Sequence, residues 1–151
     1  MKVTTPQMTS HQIALVCESF AKVVPIREQA AAVFYERLFA IDPSTRHLFR
    51  GDMKSQGAKL RAAISAVVKS LDRIENMKGD LEILARRHHG YGVREEHYAS
   101  VGAALLWALE QGLGFGFTAE VRDAWANAYG LISSMMITAG SEPLRAARDV
   151  R

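Results

Sequence analysis

The sequence predicts an all-α fold, on three observations. No proline occurs between Pro43 and Pro143, so a long central stretch carries no helix breaker. Helix-favouring Ala, Leu, Met, Glu and Arg dominate, and no alternating apolar–polar run of the kind that marks a half-buried strand appears. Val101, Leu105 and Leu109 recur every fourth residue, which places them on one helical face.

Each helix can be placed from its own signals. Ser10 as N-cap starts a first helix that runs to about Val24 and buries Ile13, Val16, Cys17 and Phe20. A second helix runs from about Pro25 to Ile41 with Val33, Phe34 and Leu38 inward. Asp42-Pro43 opens a short helical turn ending near Phe49, and Arg50-Gly51-Asp52 reads as a loop. A long helix covers about Met53 to Leu71, with Leu60, Ile64, Val67 and Val68 on one face. A short helix follows from about Lys78 to His89, and Gly90 and Gly92 stop it. The next helix runs from about Arg94 to Leu113. Gly112 to Gly116 forms a loop, and Thr118 then caps a last helix that reaches about Ala139. Val121 occupies the place where a capping box needs Glu or Gln, so Thr118 is a simple cap. All four prolines are expected at or near helix boundaries. Gly57 and Gly130 sit within helices, where glycine costs about 1 kcal/mol, and close helix crossings would explain them.

Composition narrows the function. The chain has 151 residues, 48% of them hydrophobic, which suits one packed domain over 10–140, with an extension over 1–9 and a mobile polar tail over 141–151. The net charge of +3 is mild and its bases are scattered, so neither a nucleic acid nor a membrane is an expected partner. A lone cysteine, Cys17, allows no internal disulfide and reads as a core filler. The segment Met1 to Ser10 has no apolar core of a secretory signal, and no stretch reaches the roughly 18 apolar residues of a membrane span. The expected location is the cytoplasm.

The chemistry concentrates around Leu84-Ala85-Arg86-Arg87-His88-His89-Gly90-Tyr91-Gly92-Val93 and the following Glu96-His97-Tyr98. A histidine near a helix end, with no other tight ligand cluster in the chain, is a candidate single axial ligand for haem iron. His88 and His89 point about 100° apart, so only one can face a pocket. His11, His47 and His97 read as surface or rim residues. Trp107, Trp125 and the Met135-Met136 pair read as packing.

Several patterns resemble bacterial globins, in particular the globin domain of flavohaemoglobins and related single-domain haemoglobins of the Vitreoscilla type. Phe34-Tyr35-Glu36-Arg37-Leu38-Phe39, with Asp42-Pro43-Ser44-Thr45-Arg46-His47-Leu48-Phe49, resembles that family's second helix and its turn into the haem pocket. The spacing from His88 to Val93 and Tyr98 resembles its proximal segment. Ala124-Trp125-Ala126-Asn127-Ala128-Tyr129-Gly130 resembles its last helix. The similarity covers roughly residues 10 to 140 and implies a globin fold around haem b (iron protoporphyrin IX).

By this resemblance His88 is the proximal iron ligand and Phe49 the aromatic wedge stacked on the porphyrin. Tyr35 and Gln56 are the polar distal residues, both able to donate hydrogen bonds to a bound diatomic ligand. Leu60 is the apolar wall above the iron, and Lys59 lies at the pocket rim over a propionate. Val93 and Tyr98 complete the proximal side. In flavohaemoglobins a glutamate on the last helix joins the tyrosine. Here Gly140 falls at that position, and Glu142 lies beyond the expected helix end, which weakens the case for strong electron donation to the iron.

Three functions follow from the resemblance. The first is reversible binding of dioxygen, and of NO and CO, for storage, delivery or scavenging. The second is a nitric oxide dioxygenase that needs a separate flavin reductase to re-reduce its iron. The third is a globin-fold sensor or interaction module, against which His88 argues. A homodimer is compatible with each.

Overall fold

In a computed structural model, the structure describes residues 8–149 apart from 50 and 91, and their side chains apart from 75 and 140–149. Six α-helices, most of them joined by short 3-10 turns, are formed among the described residues: α1 Ser10–Val23, α2 Arg27–Ile41, α3 Met53–Lys69, α4 Lys78–Gly90, α5 Glu95–Leu113 and α6 Ala119–Asp149. No strand occurs among the described residues.

Caps set most boundaries. Thr9, not Ser10, caps α1: the Gln12 N–H donates to Thr9 Oγ1 at 3.0 Å, and the Thr9 N–H donates back to Gln12 Oε1 at 3.2 Å. The reciprocal pair satisfies two amides that a serine one residue later would leave bare. Asp52 caps α3 through the Lys54 N–H at 3.1 Å. Thr118 caps α6 as expected, accepting from the Val121 N–H at 3.2 Å. At the start of α5 the Arg94 N–H donates to His97 Nδ1 at 2.9 Å. This draws His97 inward to 5% exposure, so it is a buried cap and not the surface residue expected.

The last helix departs most from expectation. α6 continues through Ser141 to Asp149, well past Ala139, and Pro143 falls inside it rather than at a boundary. An internal proline removes one helical hydrogen bond, but the surrounding Leu144, Arg145, Ala146 and Ala147 favour helix strongly.

The core divides into three clusters, each joining helices distant in sequence. Val16, Val23, Val68, Leu109, Ala124 and Trp125 tie α1, α3, α5 and α6 together. Phe34, Tyr35 and Leu38 of α2 pack on Ala104 and Ala108 of α5, where small residues let the two helices approach. Leu81 and Ala85 of α4 pack on Met136 and Ala139 of α6. Trp125 also donates from Nε1 to Ser19 Oγ at 2.8 Å, which satisfies a buried N–H. Trp107 is partly exposed and carries the Arg37 guanidinium over its ring at 4.1 Å, an α2–α5 contact.

Two expectations fail for physical reasons. Cys17 is exposed, its thiol 3.9 Å from the Val68 carbonyl, because Val16 and Ser19 take the inward face of α1. Gly130 has no neighbour within 4 Å of where a Cβ would stand, so no close crossing explains it. The close crossing belongs to Gly102, where a Cβ would lie 2.7 Å from the Tyr129 ring. Gly57 does face α2, with a Cβ position 3.5 Å from the Ala31 Cβ, an ordinary contact distance.

Candidate functional site

Tyr35, Gln56, Phe49 and Leu60 come together where α2 meets α3 and the turn Pro43–Leu48. Tyr35 is 6% exposed, and its hydroxyl donates to the Gln56 backbone carbonyl at 3.1 Å. Burial pushes its phenol up to about 12, so it remains a neutral O–H donor at physiological pH. Its ring meets Phe49 edge-on at 5.1 Å and stacks with Phe39 at 6.0 Å. Leu60 packs against the same cluster. Gln56 is half-buried on α3, and Lys59 is exposed one turn further along.

The turn that carries Phe49 is pinned from both sides. Asp42 accepts from Ser44 Oγ on one carboxylate oxygen and from Ser100 Oγ of α5 at 2.8 Å on the other. These two hydroxyls hold its carboxyl below the usual carboxylate range. The Asp42 carbonyl also accepts from the buried Thr45 hydroxyl at 2.7 Å. Phe49 therefore leaves a turn anchored to α5, and its ring position follows from that anchor.

The histidine side is built at the end of α4. His88 is half-buried, and its Nδ1 lies 2.8 Å from the Leu84 carbonyl one turn back. A carbonyl can only accept, so Nδ1 carries the proton and Nε2 is left with a lone pair. His89 beside it is exposed, as their angular separation requires. Gly92, at φ +91°, turns the chain away from α4, and the Val93 N–H donates to the His88 carbonyl at 3.1 Å. Leu48, beside Phe49 in the turn, lies 3.9 Å from the Cβ position of Gly92, which brings the aromatic turn and the histidine segment together.

Tyr98 stacks against His88, ring centroids 6.5 Å apart and planes 24° from parallel. The Tyr129 hydroxyl of α6 donates to the Tyr98 carbonyl. Burial raises both phenols above their usual value. α6 runs through Gly140 and Glu142, so Glu142 lies on the helix and not past its end. Its side chain is outside the described residues.

Sequence reasoning missed three supports of this site: Phe39, Ser100 and Tyr129. Phe39 was within reach, since it stands four residues after Tyr35 on one helical face. Ser100 and Tyr129 act across α5 and α6, and no local spacing announces them.

Comparison with known proteins bears on the family and the fold. A family model described as Globin matches residues 32–136. A flavohemoprotein of Bordetella pertussis is 33% identical over 136 residues, covering 86% of this chain and 33% of that protein. This chain thus spans about a third of the length of the flavohemoproteins it matches. An uncharacterized globin-like protein of Aquifex aeolicus is 37% identical over 110 residues, covering 73% of this chain and 78% of that one. A bacterial globin structure from Campylobacter jejuni superimposes with a TM-score of 0.74 at 28% identity, covering 91% of this chain and 99% of the other. An engineered carbene transferase from Rhodothermus marinus shares the fold, with a TM-score of 0.83 at 24% identity over 94% of this chain and 99% of that one. With six helices in this order and these matches along most of its length, the chain belongs to the globin family.

Proposed function

We propose that this globin holds haem through His88 and binds dioxygen and other diatomic gases reversibly. The observation that carries the proposal is the His88 ring. Its Nδ1 is committed to the Leu84 carbonyl, and Nε2 has no hydrogen-bond partner among the described residues. One nitrogen is fixed and the other is free to bind a metal, the arrangement that orients a histidine ligand. Among the described residues no group of three or more His, Cys, Asp or Glu could hold a metal by itself, so His88 suits a metal already held in a macrocycle.

Haem, when bound, supplies the iron at which the gas binds. The chain's own residues do the rest. Phe49, anchored through Asp42, offers a flat apolar face to the porphyrin, and Leu60 keeps water from the distal side. Tyr35 holds a neutral O–H at that wall, parked on the Gln56 carbonyl until a better acceptor arrives. Val93 and Tyr98 limit rotation of the imidazole. Lys59, exposed on α3, is free to pair with a propionate.

A second reading is nitric oxide dioxygenase activity, favoured by the relatives named flavohemoprotein. It requires electrons from a flavin reductase, on a separate chain or attached to this one. The parked donor at Tyr35 serves either reading. No helix among the described residues is long and apolar enough to cross a membrane.

The test is the absorption spectrum of the purified protein, first oxidised, then reduced with dithionite, then exposed to CO. A Soret band that shifts with CO, and that His88→Ala abolishes, is the expected result. A chain that takes up no haem when haem is added would overturn both readings. NO consumption measured with and without a generic flavin reductase then separates storage from turnover.

A further inference from the structure

Ser100 stands on the part of α5 that is held most firmly. The helix starts just after Val93, and the Arg94 N–H fixes its first turn by donating to His97 Nδ1. Beyond Ser100, Gly102 lies so close to Tyr129 that a Cβ there would stand 2.7 Å from the ring. Ala104, fully buried, packs on α2. The Ser100 hydroxyl lies between these fixed points and has little freedom to move.

The turn that carries Phe49 is held differently. Its start hangs from α2, where the Asp42 N–H donates to the Leu38 carbonyl. Its Phe49 ring packs on Tyr35 and Phe39, which are also α2 residues. Ser44 and Thr45 donate only back to Asp42. Among the described residues, the Ser100 hydroxyl, donating to the Asp42 carboxylate at 2.8 Å, is the one side-chain hydrogen bond that ties this turn to a helix other than α2. Without it only apolar contacts would hold the turn against the rest of the fold, and these have no direction. A hydrogen bond to an ionised carboxylate is short and directional, and the lowered Asp42 carboxyl stays ionised at physiological pH.

We propose that Ser100 is a positioning residue for the gas site. Through Asp42 it sets the place of Phe49, and the Phe49 ring, edge-on to Tyr35, holds that phenol where its O–H reaches a bound diatomic ligand. Its effect on gas release rests on the haem reading above, whereas its effect on the two rings does not.

The test has two arms. The first is NMR of the purified protein, with or without haem, reading the Phe49 and Tyr35 ring resonances and the cross-relaxation between the two rings. Ser100→Ala should shift both sets and weaken the cross peak. Ser100→Thr, which keeps the hydroxyl, should resemble the parent. Alanine favours helix, so Ser100→Ala should keep the parent circular dichroism. The second arm is stopped-flow displacement of dioxygen by CO in the haem-loaded protein. Ser100→Ala should release dioxygen about threefold faster, and Ser100→Thr at the parent rate. In a Tyr35→Phe background Ser100→Ala should leave the rate unchanged, because the donor it places is gone. A role confined to stability would lower Tm without this dependence on Tyr35. Three results would overturn the proposal: rings unmoved in Ser100→Ala, release speeded equally in the Tyr35→Phe background, or a threonine variant that behaves like the alanine one. If the chain takes up no haem, the haem reading fails by itself and the ring arm still decides what Ser100 places.

Discussion

Gly102→Ala tests how closely α5 and α6 approach. The new Cβ would stand 2.7 Å from Cε2 and 3.0 Å from Cδ2 of Tyr129. The ring has little freedom to retreat, because its hydroxyl donates to the Tyr98 carbonyl. Overpacking of this kind costs about 1–3 kcal/mol. A displaced ring also forfeits a hydrogen bond worth about 1 kcal/mol. Alanine returns about 1 kcal/mol through its better helix propensity. The net destabilisation is about 1–3 kcal/mol, a fall in Tm of roughly 3–10 °C for a chain of this size. Gly130→Ala is the control. It lies on the same helix as Tyr129, with nothing within 4 Å of its Cβ position, so it should gain up to about 1 kcal/mol. Thermal and urea unfolding of both variants measure the difference. A Gly102→Ala protein as stable as its parent would refute the close approach, and with it the clamp of Tyr129 on the Tyr98 backbone.

Tyr35→Phe removes the distal O–H donor and should speed dioxygen release about tenfold, one charge-assisted hydrogen bond, in a stopped-flow displacement by CO. An unchanged off-rate would take Tyr35 out of the distal site. Ser19→Ala leaves the buried Trp125 Nε1 without its acceptor and should cost about 1–3 kcal/mol in urea unfolding, and an unchanged unfolding midpoint would show that the bond contributes nothing. Asp42 has a lowered folded-state pKa, so its contribution is complete above the unfolded value near 3.9 and is lost as pH falls through the folded one. The Tm gap between the parent and Asp42→Asn should therefore narrow below about pH 4, and a constant gap would show that the carboxylate charge contributes nothing.

The helices were legible because their signals are local. A capping residue, a proline in a first turn or an apolar repeat acts within one or two turns, and α2, α3 and α5 fell close to their expected bounds. The split between half-buried His88 and exposed His89 was legible for the same reason: adjacent helical residues point about 100° apart. What failed depended on choices among nearby residues or on distant partners. Thr9 outcompetes Ser10 as a cap because Gln12, three residues on, can return its hydrogen bond, a capping-box spacing that the sequence does carry. Cys17 was expected inside from its apolar character, yet Ser19 holds the inward place because Trp125, far along the chain, needs an acceptor. His97 looked like a surface histidine until the Arg94 amide claimed it. The end of α6 was placed early because Pro143 and Ser141 read as a stop, although the residues after them favour helix.

The bond between Ser19 and Trp125 joins residues 106 positions apart. It has a consequence for the order of events during synthesis. The apolar face of α1 leaves the ribosome well before α6, whose Val121, Ala124 and Trp125 cover it. Until α6 is made, Val16 and Val23 have only part of their eventual cover. The nascent chain must therefore carry a sticky first helix through most of its translation. α2 and α5 can pair earlier through Phe34, Leu38, Ala104 and Ala108, and they form the platform on which the ends of the chain later close.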